Sequence, residues 1–280
     1  MLIIFIYLLM SVFFTTLYTC IATLTNGLSL YFMLIWTPLG FLTSAILMAL
    51  YLLFLIYVLF PILKPGSILL QKLTYPFIKF VNILARIKIE VVGYENIPSE
   101  TFVIYANHKS MLDITIIYEA LNRPVSAIAK KELAEVPVLK TLIKDLYVQT
   151  VDRENDMAAV KSLVKAMKYV KEGLPYFIFP EGGIKTRETE LMTSLRPGAY
   201  KLATKPGATI LPVSIIGSSK LAKNSFKKHT DIKVIFHKPI NKEEYSEKFI
   251  NEEISKEVNT KELGKYVQDI IDRGVLSENK

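Results

Sequence analysis

The segment Asn107-His108-Lys109-Ser110-Met111-Leu112-Asp113 sets a histidine and a carboxylate five residues apart, directly after the apolar run 101–105. A strand that opens into a polar turn and then a helix carries His108 to a sheet edge. Asp113 follows a little over one helical turn later, near enough to accept from the imidazole. That pair has a chemical use: the carboxylate fixes the ring tautomer and stabilises the imidazolium formed when the other ring nitrogen takes a proton from an alcohol. No serine or cysteine nucleophile is required if the alcohol itself attacks an activated acyl group. The competing reading is a satisfied structural histidine beside an acidic residue of a helix first turn.

Other polar groups also stand just after short β-rich runs, where open α/β sheets bind ligands. They are Lys130 and Lys131, Asp152-Arg153, and Glu181-Gly182-Gly183 with Lys185 and Arg187 behind them. Lys130 and Lys131 are either a phosphate contact or a solvated face. Arg153 is either a ligand contact or a surface partner of Asp152, Glu154 or Asp156, and Glu181-Gly182 either a site or a plain turn. His229 and His237 lie in a basic strand-like stretch without ligand spacing and read as non-catalytic. The glycines are scattered, and Pro180-Glu181-Gly182-Gly183 lacks the Lys and Ser or Thr of a phosphate-binding loop.

The elements that must position these groups alternate. Residues 87–92, 101–105, 125–129, 147–151, 176–179, 209–216 and 233–237 read as strands. Helices are expected at 111–121, 137–144, 157–172, 198–205 and 260–272. Such alternation predicts an α/β fold with a mixed, mostly parallel sheet flanked by helices, over residues 87–280.

All 34 Lys and Arg and all 26 Asp and Glu residues come after Leu63. The first 63 residues therefore read as a transmembrane anchor, a hairpin of two helices near 2–24 and 41–60 with a break at Trp36-Thr37-Pro38-Leu39-Gly40. A cleaved signal peptide over 1–21 is the rival, opposed by the missing basic n-region and the length of the apolar stretch. Lys64, Lys72, Lys79, Arg86 and Lys88 precede the next acidic residue, Glu90, a bias expected on the cytoplasmic side. Residues 64–86 carry Leu69, Leu70, Leu73, Phe77, Phe80, Val81 and Leu84 at helical spacing with lysines between, as in an interfacial helix on anionic lipid or a core helix of the globular domain. The remaining 217 residues are about 28% charged, enough for one sizeable soluble core. Cys20 is the one cysteine, so an intramolecular disulfide and Cys-rich zinc sites are excluded. No nucleic-acid module accompanies the net charge of +8, which suits a membrane surface instead.

Taken together, these residues resemble the glycerolipid acyltransferase family, over roughly 87–239. Asn107-His108 with Asp113 is similar to the family's H-x-x-x-x-D block. Ala129-Lys130-Lys131-Glu132-Leu133 with Val151-Asp152-Arg153 is similar to the second block, Phe179-Pro180-Glu181-Gly182 to the third, and Ile210-Leu211-Pro212-Val213 to the fourth. The resemblance implies that His108 is the general base and Asp113 its orienting partner, with Asn107 and Lys130 in the substrate site. It implies that Arg153 and the basic residues after Gly182 hold a glycerol phosphate, that Glu181 orients a substrate hydroxyl or an arginine, and that Gly182 lets backbone approach the ligand. In the family Glu-Gly is followed at once by Thr-Arg; here Gly183-Ile184-Lys185 intervene before Thr186-Arg187. Arg187 is the favoured phosphate ligand and Lys185 its alternative. The implied reaction acylates the sn-2 hydroxyl of lysophosphatidic acid from acyl-CoA or acyl carrier protein, with no bound cofactor and no metal. Glycerol-3-phosphate or another lysophospholipid as acceptor, and a non-catalytic lipid-binding scaffold, are the alternatives. The implied setting is a bacterial plasma membrane with the catalytic domain facing the cytoplasm.

Overall fold

The computed structural model describes residues 2–26, 30–63, 67–152, 156–224, 227–250 and 257–278. The chain divides into two compact units, Met1–Lys64 and Pro65–Lys280.

The first unit pairs two apolar helices, α1 (Leu2–Asn26) and α2 (Leu30–Phe54). Among the described residues, Ile35–Ile62 is long and apolar enough to cross a membrane, and Ile6–Ile21 is a shorter apolar helix. The expected break at residues 36–40 is absent, because α2 runs straight through Pro38. Pro38 removes one backbone donor, whereas a break would free several amides and carbonyls in a stretch with few polar side chains to receive them. Gly40 faces α1 so closely that a Cβ there would meet Thr15 Oγ1 at 2.4 Å. Tyr18 OH and Thr43 Oγ1, 3.0 Å apart, join the pair beside that contact. The winding loosens to a π-helical stretch at Leu55–Leu59 and a tight turn at Phe60–Ile62. Pro61, which cannot donate and crowds the carbonyl four residues earlier, lies within that turn.

The second unit is a seven-stranded sheet in the order β1-β7-β6-β2-β5-β3-β4. The strands are β1 (Ile87–Val92), β2 (Phe102–Ala106), β3 (Ser126–Lys130), β4 (Gln149–Val151), β5 (Tyr176–Ile178), β6 (Thr209–Ile216) and β7 (Thr230–Phe236). All pairs are parallel except β6 with β7. The expected mixed, mostly parallel sheet is thus observed, with β2 to β6 running one way and β7 and β1 the other. β2 is buried throughout, its residues alternating between two cores. Phe102, Ile104 and Ala106 enter one, while Val103 and Tyr105 enter the other. β7 begins three residues before the expected 233, because Thr230 pairs with Ile87 at the start of β1. Asp231 hid that start, since it is an exposed position in an otherwise alternating pattern.

The helices of this unit are α3 (Ile68–Leu84), α4 (Asp113–Leu121), α5 (Pro137–Asp145), α6 (Asp156–Lys171), α7 (Lys201–Thr204), α8 (Leu221–Asn224), α9 (Lys242–Phe249) and α10 (Thr260–Ser277). The helix expected at 198–205 is a tight turn, Pro197–Tyr200, followed by the single turn of α7. Pro197 at its start and Pro206 beyond its end leave little room for a longer helix. α3 packs on α4 through polar groups: Asn82 Nδ2 donates to Thr115 O and Glu119 Oε2, and Thr74 Oγ1 lies 2.8 Å from Tyr118 OH. Leu70 is buried, whereas Leu69, Val81 and Leu84 are exposed.

Candidate active site

Parallel strands deliver the segments after β2, β3, β4 and β5 to one edge of the sheet, and His108 leaves β2 there, two residues after Ala106. The turn that carries it is pinned first by Asn107. That side chain is fully buried, donates to Ile215 O at 2.7 Å and Glu190 O at 2.8 Å, and accepts from Ile215 N at 2.8 Å. Asn107 therefore ties the turn to β6 and the loop before it; none of its polar atoms is left for a substrate.

His108 Nδ1 lies 2.9 Å from Asp113 Oδ2, and the same oxygen accepts from the amides of Lys109 and Ser110, each at 2.8 Å. An oxygen facing two backbone donors is an acceptor, so Nδ1 carries the proton and Nε2 is left as the base. Asp113 is completely buried at the first residue of α4, where the helix dipole favours its negative charge. The His108 ring stacks on Phe179, with centroids 4.0 Å apart and planes 7° from parallel, which restricts its rotation.

Glu181, after β5, is fully buried behind the turn. Its Oε1 accepts from His108 N at 2.9 Å, and its Oε2 from Lys109 Nζ at 2.9 Å, Thr193 N at 3.1 Å and Thr193 Oγ1 at 3.2 Å. Both oxygens are thus taken by protein donors, so Glu181 holds the histidine turn rather than reaching a substrate hydroxyl or an arginine as expected. Gly182 has φ +71°, and a Cβ there would strike the Arg196 side chain at 2.3 Å. A bare backbone lets that guanidinium lie across the loop.

The remaining candidates separate. Arg187 is exposed, and its Nε donates to Lys109 O at 3.2 Å, which sets a cation beside the catalytic turn. Lys185 is exposed in the same loop. Lys130 ends β3 on the surface, paired at 2.8 Å with Glu132, each about half exposed. Arg153 lies outside the described residues.

A cavity of about 620 Å³ opens beside this turn, walled by Phe179 and by Val160, Leu163, Val164 and Met167 of α6, with Arg196 and Lys201 also lining it. Phe179 therefore joins the two features, stacked on the base and forming part of the cavity wall. Lys109, Thr193 and Arg196 are site residues that sequence reasoning missed. Arg196 had one usable signal, its place immediately before the Pro197-Gly198-Ala199 stretch. Thr193 had none.

The open mixed sheet carries a His–Asp pair at its edge with an apolar cavity alongside, and residues 88–216, which include that pair, match the family model described as Acyltransferase. A probable 1-acyl-sn-glycerol-3-phosphate acyltransferase of Mycoplasma genitalium is 30% identical over 188 residues, 61% of this chain and 68% of that protein. The chain belongs to the 1-acyl-sn-glycerol-3-phosphate acyltransferase family. A chloroplastic enzyme of that name from Arabidopsis thaliana is 30% identical over 166 residues; the match spans 57% of this chain and 46% of the plant protein, about half its length. Among solved structures, the 1-acyl-sn-glycerophosphate acyltransferase PlsC of Thermotoga maritima matches with a TM-score of 0.60 at 28% identity, over 75% of this chain and 80% of that one.

Proposed function

We propose that this protein is a membrane-bound 1-acyl-sn-glycerol-3-phosphate O-acyltransferase that makes phosphatidic acid from lysophosphatidic acid and an acyl thioester of coenzyme A or acyl carrier protein. The observation that carries this reading is the geometry of His108, with Nδ1 committed to a buried carboxylate and the ring stacked on a wall of an apolar cavity. His108 Nε2 takes the proton of the sn-2 hydroxyl as its oxygen attacks the thioester carbonyl. The tetrahedral oxyanion then collapses, the carbon–sulfur bond breaks, and the imidazolium returns the proton to the departing thiolate. Asp113 stabilises the imidazolium in between. The amides of His108, Lys109 and Ser110 are already engaged, so the oxyanion is met by other donors. No step in this scheme uses a metal or a bound cofactor.

The apolar cavity suits an acyl chain, and Arg187 beside the turn suits the acceptor's phosphate. The membrane setting is supported by the apolar first unit and by side chains of the second. Met111 after β2, Val136 after β3, and Met157 and Val160 at the start of α6 are all exposed, and all follow strands that end at the catalytic edge. Leu84, just before the oppositely directed β1, is exposed at that same edge. Solvent-facing methionine and valine around a site are what an interface with lipid requires. The lysines and arginine at 64–88 support a cytoplasmic catalytic face in a bacterial plasma membrane.

The lengthened loop Gly183-Ile184-Lys185 favours a second reading in one respect, a different acceptor headgroup. Full-length protein in detergent, offered lysophosphatidic acid, glycerol-3-phosphate and a lysophospholipid with a larger headgroup, decides between them. Formation of phosphatidic acid at the highest kcat/KM supports the proposal; preference for either other acceptor replaces it.

A further inference from the structure

Lys109 directly follows the proposed base, yet its whole side chain is buried, one of the largest fully buried side chains among the described residues. Lysine is almost never buried so completely without a reason. Its ammonium is 2.9 Å from Glu181 Oε2, and both members of the pair are sealed from solvent, so neither touches a substrate. The proton-transfer scheme above does not use it.

The surroundings show what the charge does. The histidine turn is gripped from two sides by carboxylates, Asp113 on the amides of Lys109 and Ser110, and Glu181 on the amide of His108. Behind Glu181, Thr193 gives it two hydrogen bonds, and the neighbouring Met192 amide donates to Asp272 of α10 at 2.9 Å. Gln268 of α10 donates to Met192 O at 2.9 Å. Burial pushes the Asp272 carboxyl above its ordinary range, Glu181 adds to the effect and Lys109 opposes it. Glu181 thus pairs with the buried ammonium and Asp272 is close enough to feel its charge, while Asp113 accepts from the Lys109 backbone amide and Arg187 Nε donates to Lys109 O. Without a cation inside, Glu181 is a buried carboxylate held only by neutral donors, and its desolvation favours movement out of this position.

We propose that Lys109 is a positioning residue for the acyl transfer: its buried ammonium, 2.9 Å from Oε2, fixes the Glu181 carboxylate so that Oε1 accepts from the His108 amide, which holds the imidazole in line with Asp113. The inference rests on the reading of His108 as the base. It assigns a role to a residue that never meets the substrate, and it makes Lys109 and Glu181 a unit whose members cannot be changed one at a time.

The test uses the full-length protein in detergent, as Lys109→Met, Glu181→Gln and the double variant. Two readouts are taken: kcat and KM for thioester and acceptor, and the low-field proton resonance of the His108 Nδ1–H to Asp113 hydrogen bond, assigned by its absence in His108→Asn. Lys109→Met is expected to lower kcat by roughly tenfold or more with both KM values within about twofold, because an interaction that only orients the base acts on the chemical step. The resonance weakens in parallel. In the double variant the Gln oxygen accepts from the His108 amide with no counter-ion needed, while its amide nitrogen can donate to Thr193 Oγ1 but opposes Thr193 N, so kcat and the resonance recover in part relative to Lys109→Met. Unchanged kcat and resonance in Lys109→Met overturn the proposal, as does a double variant whose loss is the product of the two single losses. If Lys109→Met does not fold, the double variant decides alone: a retained resonance supports the unit, and a lost resonance in a folded chain overturns it. Because the resonance needs no turnover, a chain in which it depends on Lys109 but which transfers no acyl group upholds the positioning role of Lys109 and sinks the acyl-transfer reading instead.

Discussion

Asp113→Asn replaces a carboxylate oxygen by an amide group at the point where the proposed mechanism concentrates charge. In the resting protein the hydrogen bonds to the histidine turn survive. The Asn oxygen can occupy the place of Oδ2 and keep accepting from Lys109 N, Ser110 N and His108 Nδ1, while its amide nitrogen falls where Asp113 Oδ1 has no hydrogen-bond partner among the described residues, a buried donor that costs about 1 to 3 kcal/mol of stability. In the transition state the loss is larger. With Nδ1 and Oδ2 at 2.9 Å, the centres of the imidazolium and carboxylate charges are ~4 Å apart, worth ~4 kcal/mol at an effective dielectric constant near 20. The amide dipole returns a small part of this, so kcat should fall by ~10² to 10³. KM for both substrates should change by less than ~3-fold, since the lost interaction belongs to the transition state. Initial rates of thiol release at saturating thioester and acceptor measure the effect, with thermal unfolding run beside them to show a folded variant. A kcat within ~10-fold of the unaltered chain, in a folded variant, would refute the assignment of Asp113 as the stabiliser of the imidazolium.

Three further outcomes are expected. Arg187→Ala should raise KM for the phosphate acceptor by ~10- to 100-fold, the worth of one charge-assisted hydrogen bond, and leave KM for the thioester nearly unchanged; an unaltered acceptor dependence, with Arg153→Ala changing it, moves the phosphate elsewhere. Ala159→Phe, which narrows the cavity beside Val160 and Leu163, should shift donor preference toward shorter chains, each excluded methylene costing ~0.8 kcal/mol or ~4-fold in kcat/KM; a chain-length profile that does not move takes the acyl chain out of this cavity. Stability should fall on acidification through His237. Burial, with the Arg273 charge second, lowers its pKa from 6.5 to about 4, so protons bind the unfolded chain more tightly. The ring costs nothing above pH 6.5, and it removes stability progressively from there down to about pH 4, by ~2 to 3 kcal/mol after allowing for partial exposure. Urea unfolding across that range measures it, and a slope that stays the same in His237→Gln would assign the effect to other groups.

Much of the fold could be read from sequence because the central strands are buried on both faces and read as continuous apolar runs, as 209–216 does; the edge strand 87–92, largely exposed, was legible from its β-branched residues, and both are strands over those same bounds. The contact of His108 with Asp113 followed from a strand, a turn and a first helical residue in succession. Three features escaped for definite reasons. Pro38 signalled a break that a long apolar helix does not make, since the surrounding sequence offers the freed backbone few polar partners. The helix expected at 198–205 shrank to a tight turn and one helical turn between two prolines. Lys109 and Glu181 lie 72 residues apart, and nothing in either neighbourhood reports that both side chains are buried against each other. Residue type gives a prior for exposure, and a paired lysine is the case in which that prior fails.

If the chain transfers an acyl group with His108 as base, release of free thiol from an acyl thioester reports each turnover. Full-length protein in detergent is compared with His108→Ala, each with and without lysophosphatidic acid. Thiol release should depend on the acceptor in the unaltered chain and be lost in the variant, with lipid binding retained by both. Equal acceptor-dependent release by the two proteins would contradict it.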